Sequence, residues 1–459
     1  MLSKLFNKFL RSFRWLLPGM GVKRWIVVLI FGLLLFSTGL MLLNSNKAAL
    51  ELELALQNIC ANTLGLKVES LTIDWALILL GIAVAWWSAH CGFNVILETR
   101  AEQSGQPADR QDLVDLMYER RQLSHGLKIV AIGGGTGLST LLRGLKRHTS
   151  NITAIVSVSD NGGSSGRLSK ELGILPPGDL RHCMTALADD ENLLNELFCY
   201  RFHEGEGLEG HSFGNLFLAA LTDIYGDFEE ALRKGSQVLN ICGRVIPATL
   251  TPTTLCAQLA DGRVIRGESE IPEAHGQINK VYLEPAQCTP PQEVLKAIQE
   301  ADGIILGPGS LYTSVIPPLL INGLAEAVKK AKAPKIYVCN VMTQPGETDK
   351  YSAADHLKAI NKHVGGNIAN YVVVNVAPPN RLRKKYQKSG AHPIKADLSQ
   401  LRALGVTPIT ANLVNESELV RHDPVYLAET IIDTLAAHRS RSTEVIPINF
   451  ERLKLRVLK

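Results

Sequence analysis

The sequence predicts an α/β protein: a Rossmann-like, doubly wound sheet with a largely helical insertion, preceded by two transmembrane helices. Three observations predict it. Two long runs without a formal charge, Trp25–Leu43 and Trp75–Leu97, stand near the N-terminus. An apolar run, LKIVAI, leads straight into GGGTG, the helically spaced LSTLLRGLKRH and a second apolar run, NITAIVSVS. That is a β–loop–α–β unit, the opening of a parallel sheet. Further strand-like runs follow at Asp302–Leu306, Lys335–Val341 and Tyr371–Val376, separated by helical stretches.

The first run, WIVVLIFGLLLFSTGLMLL, is uncharged. At about 1.5 Å per residue it nearly spans a hydrocarbon core of about 30 Å. It is too long for the apolar region of a cleaved signal peptide, and no A-x-A site follows it. The second run contains His90 and Asn94 but no formal charge, and Trp86 and Trp87 fit an interface. A buried globular helix is its rival reading. Lys4, Lys8, Arg11, Arg14, Lys23 and Arg24 precede the first run without an acid; Arg100, Arg110, Arg120 and Arg121 follow the second. The connection has Lys47 and Lys67 against Glu51, Glu53, Glu69 and Asp74. The positive-inside rule therefore expects both ends in the cytoplasm and the chain anchored in the plasma membrane.

These features divide the chain into a membrane hairpin (1–97), a polar linker (98–126) with a short helix within DRQDLVDLMYERRQLS, a main domain (127–440) and a C-terminal tail (441–459). The net charge of +4 is concentrated in the first 24 residues, so the remainder is slightly acidic. That argues against a general nucleic-acid binder. The eight cysteines lack metal-ligand spacing, which fits a reducing compartment and argues against a structural zinc site. Residues 180–240 read as mainly helical, and Asp261–Gly262 between β-like runs signals a hairpin.

Six polar segments carry the chemistry. Gly133, Gly134, Gly135, Thr136 and Gly137 lie at a strand-to-helix turn, where backbone amides and the helix N-terminus approach phosphate oxygens. The spacing is neither GxGxxG, since Leu138 stands where the last glycine belongs, nor a P-loop, since no GKS or GKT follows. Asp160, Asn161, Gly162, Gly163, Ser164, Ser165 and Arg167 leave the second strand. Asp160 is placed to accept from ribose hydroxyls or to hold a divalent cation, the serines and Asn161 offer small donors, and Arg167 offers a fork for phosphate. Asp179 and Arg181 open the next helix, where Asp179 is equally a helix cap. Asn215 opens another and is equally a capping residue. Gly307, Gly309, Ser310 and Tyr312 form the third glycine loop, and Asn340, Thr343 and Gln344 follow a later strand. The basic run RLRKKYQK at 381–388 reads as a solvated face or, beside a bilayer, a contact for anionic lipid. No nucleophile-plus-base pair stands out, so the residues argue for binding more clearly than for catalysis.

Six collinear segments, VAIGGGTGLSTLLRGLK, VSVSDNGGSSGRL, LPPGDLRHCMTALA, HSFGNLFLAAL, ILGPGSLYTSVIPPLL and NVMTQPGET, closely resemble the YvcK family, often called gluconeogenesis factors. That family is related to the 2-phospho-L-lactate transferases of coenzyme F420 synthesis. The resemblance implies a domain that binds UDP-N-acetylglucosamine without a required cofactor and links carbon metabolism to cell-wall synthesis and cell shape. Cell-wall synthesis proteins or kinases, and a second copy of the chain, are the partners expected. The alternative is a metal-assisted transferase with magnesium at Asp160. A nicotinamide-dependent dehydrogenase is weaker, because GxGxxG is broken. The membrane hairpin departs from the family's plain soluble form.

Overall fold

The structure is a computed structural model, and it describes residues 22–43, 70–104, 121–188, 192–377, 379, 381–416 and 420–442. It has two compact units, 1–116 and 117–459.

In the first unit, α1 (Val22–Leu43) packs against α2 (Ser70–Ser104). Within them, Arg24–Leu43 and Asp74–Gly92 are long and apolar enough to cross a membrane. Glycines let the backbones touch: a Cβ on Gly81 would lie 2.5 Å from the Phe36 nitrogen, and one on Gly32 would lie 2.7 Å from the Ala85 nitrogen. Ser88 Oγ donates to the Trp25 carbonyl, and Trp25 meets Trp87 edge-on at 5.5 Å. Val27, Phe31, Leu34, Leu79 and Trp86 are exposed, as lipid-facing side chains would be. α2 continues to Ser104, into the segment read as a linker; of its expected short helix, 121–124 is helical and 105–120 lies outside the described residues, as does the tail beyond Ser442.

The second unit is built on a seven-stranded, wholly parallel sheet. Its strands are β1 (Ile129–Gly133), β2 (Ile152–Val156), β3 (Arg244–Pro247), β7 (Gly303–Leu306), β8 (Lys335–Val338), β9 (Tyr371–Asn375) and β10 (Thr407–Ala411), in the order β10-β9-β8-β7-β1-β2-β3. The chain winds outward from β1 to β3, returns to the other side of β1 as β7, and winds outward again. This is the doubly wound order, and its direction reverses between β1 and β7. Ile129 faces Ile152 on one side and Gly303 on the other. Both sheet faces are buried, as the unbroken apolar runs require. Val130, Ile132 and Ile304 enter one core, while Ile129, Ala131 and Ile305 enter the other.

Helices α3 (Gly135–Leu145), α4 (Gly163–Leu172) and α5 (Gly178–Leu187) follow the first two strands. The insertion before β3 is helical as expected, with Asn192–Cys199, α6 (Phe213–Tyr225) and Phe228–Val238. β4 (Thr254–Leu259), β5 (Val264–Arg266) and β6 (Ile278–Glu284) form a small antiparallel sheet, with the expected Asp261–Gly262 turn between β4 and β5. Gly262 adopts φ +90°, which this tight turn demands. β11 (Val414–Glu416) and β12 (Val420–His422) pair as a short antiparallel ribbon, and α7 (Pro424–Ser442) closes the described chain.

Candidate functional site

The chain leaves β1 at Gly133 and enters α3 at Gly135, so Gly134 alone makes the turn. Gly134, the N-cap of α3, has no side chain to cap it, and the Gly135 amide at the start of the helix meets the Asp179 carboxylate instead. The Gly307–Gly309 loop leaves β7 next to it. A Cβ on Gly137 would fall 2.3 Å from the Pro308 carbonyl oxygen, so the two loops meet only because residue 137 lacks a side chain. Leu138, which breaks the dinucleotide-binding spacing, is accommodated in turn: a Cβ on Gly307 would fall 2.8 Å from its Cδ1.

These loops floor a cleft of about 580 Å³ at the switch point. Its walls are Gly134–Gly137, Thr140, Pro308–Ser310, Thr313, Ser314, Asn340–Pro345, Glu268 and Glu347; its rim is Tyr386, Ser389, Ala391 and Val420–His422. Gly309 is held by Asn340: its N–H donates to Asn340 Oδ1 at 3.0 Å, and Asn340 Nδ2 donates to its carbonyl at 2.6 Å. Ser310 caps the following turn, accepting from Thr313 Oγ1 at 2.6 Å, and donates to the buried carboxylate of Glu347. A second cavity, about 420 Å³ along β3, contains none of the residues selected from the sequence.

Acidic groups crowd the back of the glycine turn. Asp179 does not cap its own helix, where Pro177 is the N-cap. Its carboxylate lies against the turn instead, and a Cβ on Gly134 would meet it at 2.5 Å. Burial and the neighbouring Asp160 raise Asp179 from the ordinary 3.8 to about 7, against the Gly135 amide and Arg181, which lower it. Glu268 accepts from Ser159 Oγ at 3.2 Å, and burial followed by Asp179 and Asp160 pushes it well above the usual range. Glu347 is also raised by burial. Among the described residues, no three His, Cys, Asp or Glu groups converge as metal ligands.

Behind the acids runs a buried chain of hydrogen bonds. Ser164 Oγ meets His211 Nδ1 at 2.9 Å and accepts from Asn215 Nδ2 at 3.0 Å; Asn215 Oδ1 accepts from Arg181 Nε at 2.9 Å. Arg181 also donates to the Phe198 carbonyl and meets His182 Nε2 at 2.6 Å. Burial and Arg181 depress His182 to about 3, so it is neutral. Asn215, whose own amide is capped by Ser212, therefore orients Arg181.

The structure thus brings Gly134, Gly135, Thr136, Gly137, Gly309, Ser310 and Asn340 to one cleft, with Gly133 and Gly307 closing the strands beneath it. Asp160 and Asp179 stand together behind the turn. Others are engaged elsewhere. Asn161 is spent on Ser269 and Glu270, accepting at 2.9 Å from Ser269 Oγ and donating at 2.8 Å to Glu270. Gly162 caps α4, Gly163 opens it, and Ser165 is buried beside Gly178. Arg167 is exposed and donates to the Glu209 carbonyl at 2.7 Å; it is absent from the cleft walls. Tyr312 is in the core, its hydroxyl 2.9 Å from that of Tyr351. Sequence reasoning missed Glu268, Glu347, Tyr386, Arg421 and His422. Glu347 lies within the quoted segment NVMTQPGET and was passed over there; for the others the signal available was the aromatic within RLRKKYQK and the isolated base in VRH.

Residues 129–414 match the family described as 2-phospho-L-lactate transferase CofD. A putative gluconeogenesis factor of Nostoc is 46% identical over 427 residues, 92% of each chain, and the gluconeogenesis factor of Bacillus subtilis is 49% identical over 310 residues, 67% of this chain and 98% of that one. The chain belongs to the gluconeogenesis factors of the CofD family. A crystal structure of a family member from Bacillus halodurans superposes with a TM-score of 0.65 at 48% identity, covering 67% of this chain and 99% of the other. Coverage separates long gluconeogenesis factors from short ones. The Nostoc match leaves too few residues outside it to begin after Ser70, so it takes in the whole of α2. The second of the two helices is thus less of a departure from the family than the sequence alone implies, since the long relative aligns through it.

Proposed function

We propose that this gluconeogenesis factor binds UDP-N-acetylglucosamine in the switch-point cleft and acts as a regulator, linking gluconeogenic carbon metabolism to cell-wall synthesis and cell shape. The observation that carries the proposal is the meeting of two glycine loops at Gly137 and Pro308, which places the N-terminus of α3 at a cleft with Arg421 on its rim. A helix N-terminus attracts phosphate through its dipole and through the amides that follow Gly135. Arg421 supplies a mobile cation, and Tyr386 supplies an aromatic face for a base. Glu268 and Glu347 on the walls suit sugar hydroxyls, which donate to acids. The two apolar helices would anchor the chain in the plasma membrane with this domain in the cytoplasm, where nucleotide sugars are made.

A regulator needs only differential affinity between two states of the protein. Titration calorimetry of the full-length chain with UDP-N-acetylglucosamine, UDP, NAD and GDP tests the ligand. Phosphorus NMR of the same mixture, with magnesium and cell extract, tests turnover. We expect tight, selective binding and an intact nucleotide sugar. Protein-dependent conversion lost in Asp160→Asn would establish the transferase instead, and preference for NAD would discard both.

A further inference from the structure

The basic run left unexplained by the cleft has a specific position. Residues 381–388, RLRKKYQK, carry five cations and no acid, and Arg383–Lys388 form a short helix on which Lys385 and Lys388 are exposed. The same helix carries Tyr386 to the cleft rim, where its hydroxyl accepts from the Val420 amide at 3.1 Å. That bond joins it to the ribbon bearing Arg421. Helix and ribbon rest on a small core of their own, Val341, Met342, Ala391 and Val420, with Leu382, Tyr386 and Val414 against it. It is separate from the two cores that hold the sheet. A lobe with so little buried apolar surface should open at a lower free energy than the sheet.

We propose that the outer side of this lobe is a contact for anionic lipid, and that lipid contact and occupancy of the cleft are coupled through Tyr386. A polyanion of several classes would suit the charge. Lipid is favoured because the same chain has two helices able to cross a membrane, and a tether makes the bilayer the polyanion at highest effective concentration. Each basic side chain near an anionic leaflet favours the bound state about fivefold, an effect confined to roughly a Debye length. Coupling is reciprocal: whatever factor lipid imposes on ligand affinity, ligand imposes on lipid contact.

The test uses the full chain in nanodiscs of phosphatidylcholine alone or mixed with phosphatidylglycerol, followed by hydrogen exchange and by titration with UDP-N-acetylglucosamine. Phosphatidylglycerol should slow exchange of the 382–391 amides severalfold without any ligand, and it should shift the ligand Kd by a comparable factor. Lys385→Glu with Lys388→Glu should abolish both effects while leaving the Kd in phosphatidylcholine and exchange elsewhere unchanged. Equal exchange in the two lipids, protection that survives the double variant, or an unshifted Kd would each overturn the proposal. Protection by soluble polyglutamate but not by phosphatidylglycerol would overturn it too, and assign the face to an acidic protein. Absence of nucleotide-sugar binding in either disc is a separate failure, of the ligand assignment, because the lipid effect is read without ligand.

Discussion

The side-chain amide of Asn340 pairs with both backbone groups of Gly309, accepting from its N–H and donating to its carbonyl. One residue at the end of β8 thereby fixes the loop that ends β7, as a neighbouring strand would. Asn340→Ala leaves both backbone groups without these partners, at about 1–3 kcal/mol. We expect a lower melting temperature and roughly tenfold weaker nucleotide-sugar binding. Asn340→Asp is the sharper probe: it still accepts from the N–H but repels the carbonyl, and should bind no better than the alanine variant. Wild-type affinity and stability in both variants would contradict this role.

Arg421 and Arg167 make opposite predictions. Arg421 is on the cleft rim, whereas Arg167 is hydrogen-bonded to the Glu209 carbonyl outside it. A charged hydrogen bond to phosphate contributes about 1.5–3 kcal/mol, so Arg421→Ala should weaken binding roughly ten- to a hundredfold. Arg167→Ala should change it less than about twofold, within the range of ordinary surface substitutions. Titration of both variants decides, and the reverse ranking would move the phosphate to α4.

Asp179 gives a pH dependence with a fixed sign. Its pKa is raised on folding, from 3.8 to about 7, so the folded state holds the proton more tightly. The stability this contributes is complete below about pH 4 and is lost as pH rises through about 7. Asp179→Asn stays neutral throughout. Its melting temperature should exceed that of the wild type at about pH 8 and vary less over this range. Wild-type affinity for the nucleotide sugar should also fall as pH rises past about 7, because an ionised carboxylate behind the turn repels phosphate. The diphosphate diester does not titrate there, so a pH-independent Kd would show that Asp179 does not sense the ligand.

Gly137→Ala should be among the most damaging single changes. The added methyl meets the Pro308 carbonyl oxygen at 2.3 Å, and backbone cannot yield as a side-chain tip does. Separating the loops should cost about 2 kcal/mol or more and abolish binding. Chemical denaturation and titration measure the two effects independently.

Membrane topology is tested by reporter fusions. Fusions in the 44–73 connection should report the outer side and fusions after Ser442 the cytoplasm, as the flanking charges require. A C-terminal fusion active only outside would reverse the orientation.

The sheet was legible because its inner strands are apolar runs, two of which, β1 and β7, lead straight into glycine loops, a signal that needs no partner to be read. β3 (RVIP) and β10 (TPITA) were not read as strands: they stand at the sheet edges and carry proline. The glycine loops were legible for the same local reason. Arg421 and Tyr386 were not, because each reaches the cleft through tertiary packing on the satellite core, which no spacing rule encodes. Arg167 and Tyr312 show the converse. A favourable residue type beside a glycine motif does not fix where its side chain goes, and here one bonds a neighbouring loop while the other fills the core.

The accommodation of Leu138 by Gly307 has a consequence for how such sites diverge. In dinucleotide-binding folds the vacant volume between helix and strand belongs to a third glycine on the helix. Here the same volume is left by a glycine at the end of β7, far away in the chain. Neither position can drift alone: a larger residue at 307 would collide with Leu138, and a smaller one at 138 would leave a hole beneath the loop. Vacancy is a property of two segments jointly, and a search keyed to contiguous glycines will overlook folds in which it has migrated from one segment to the other.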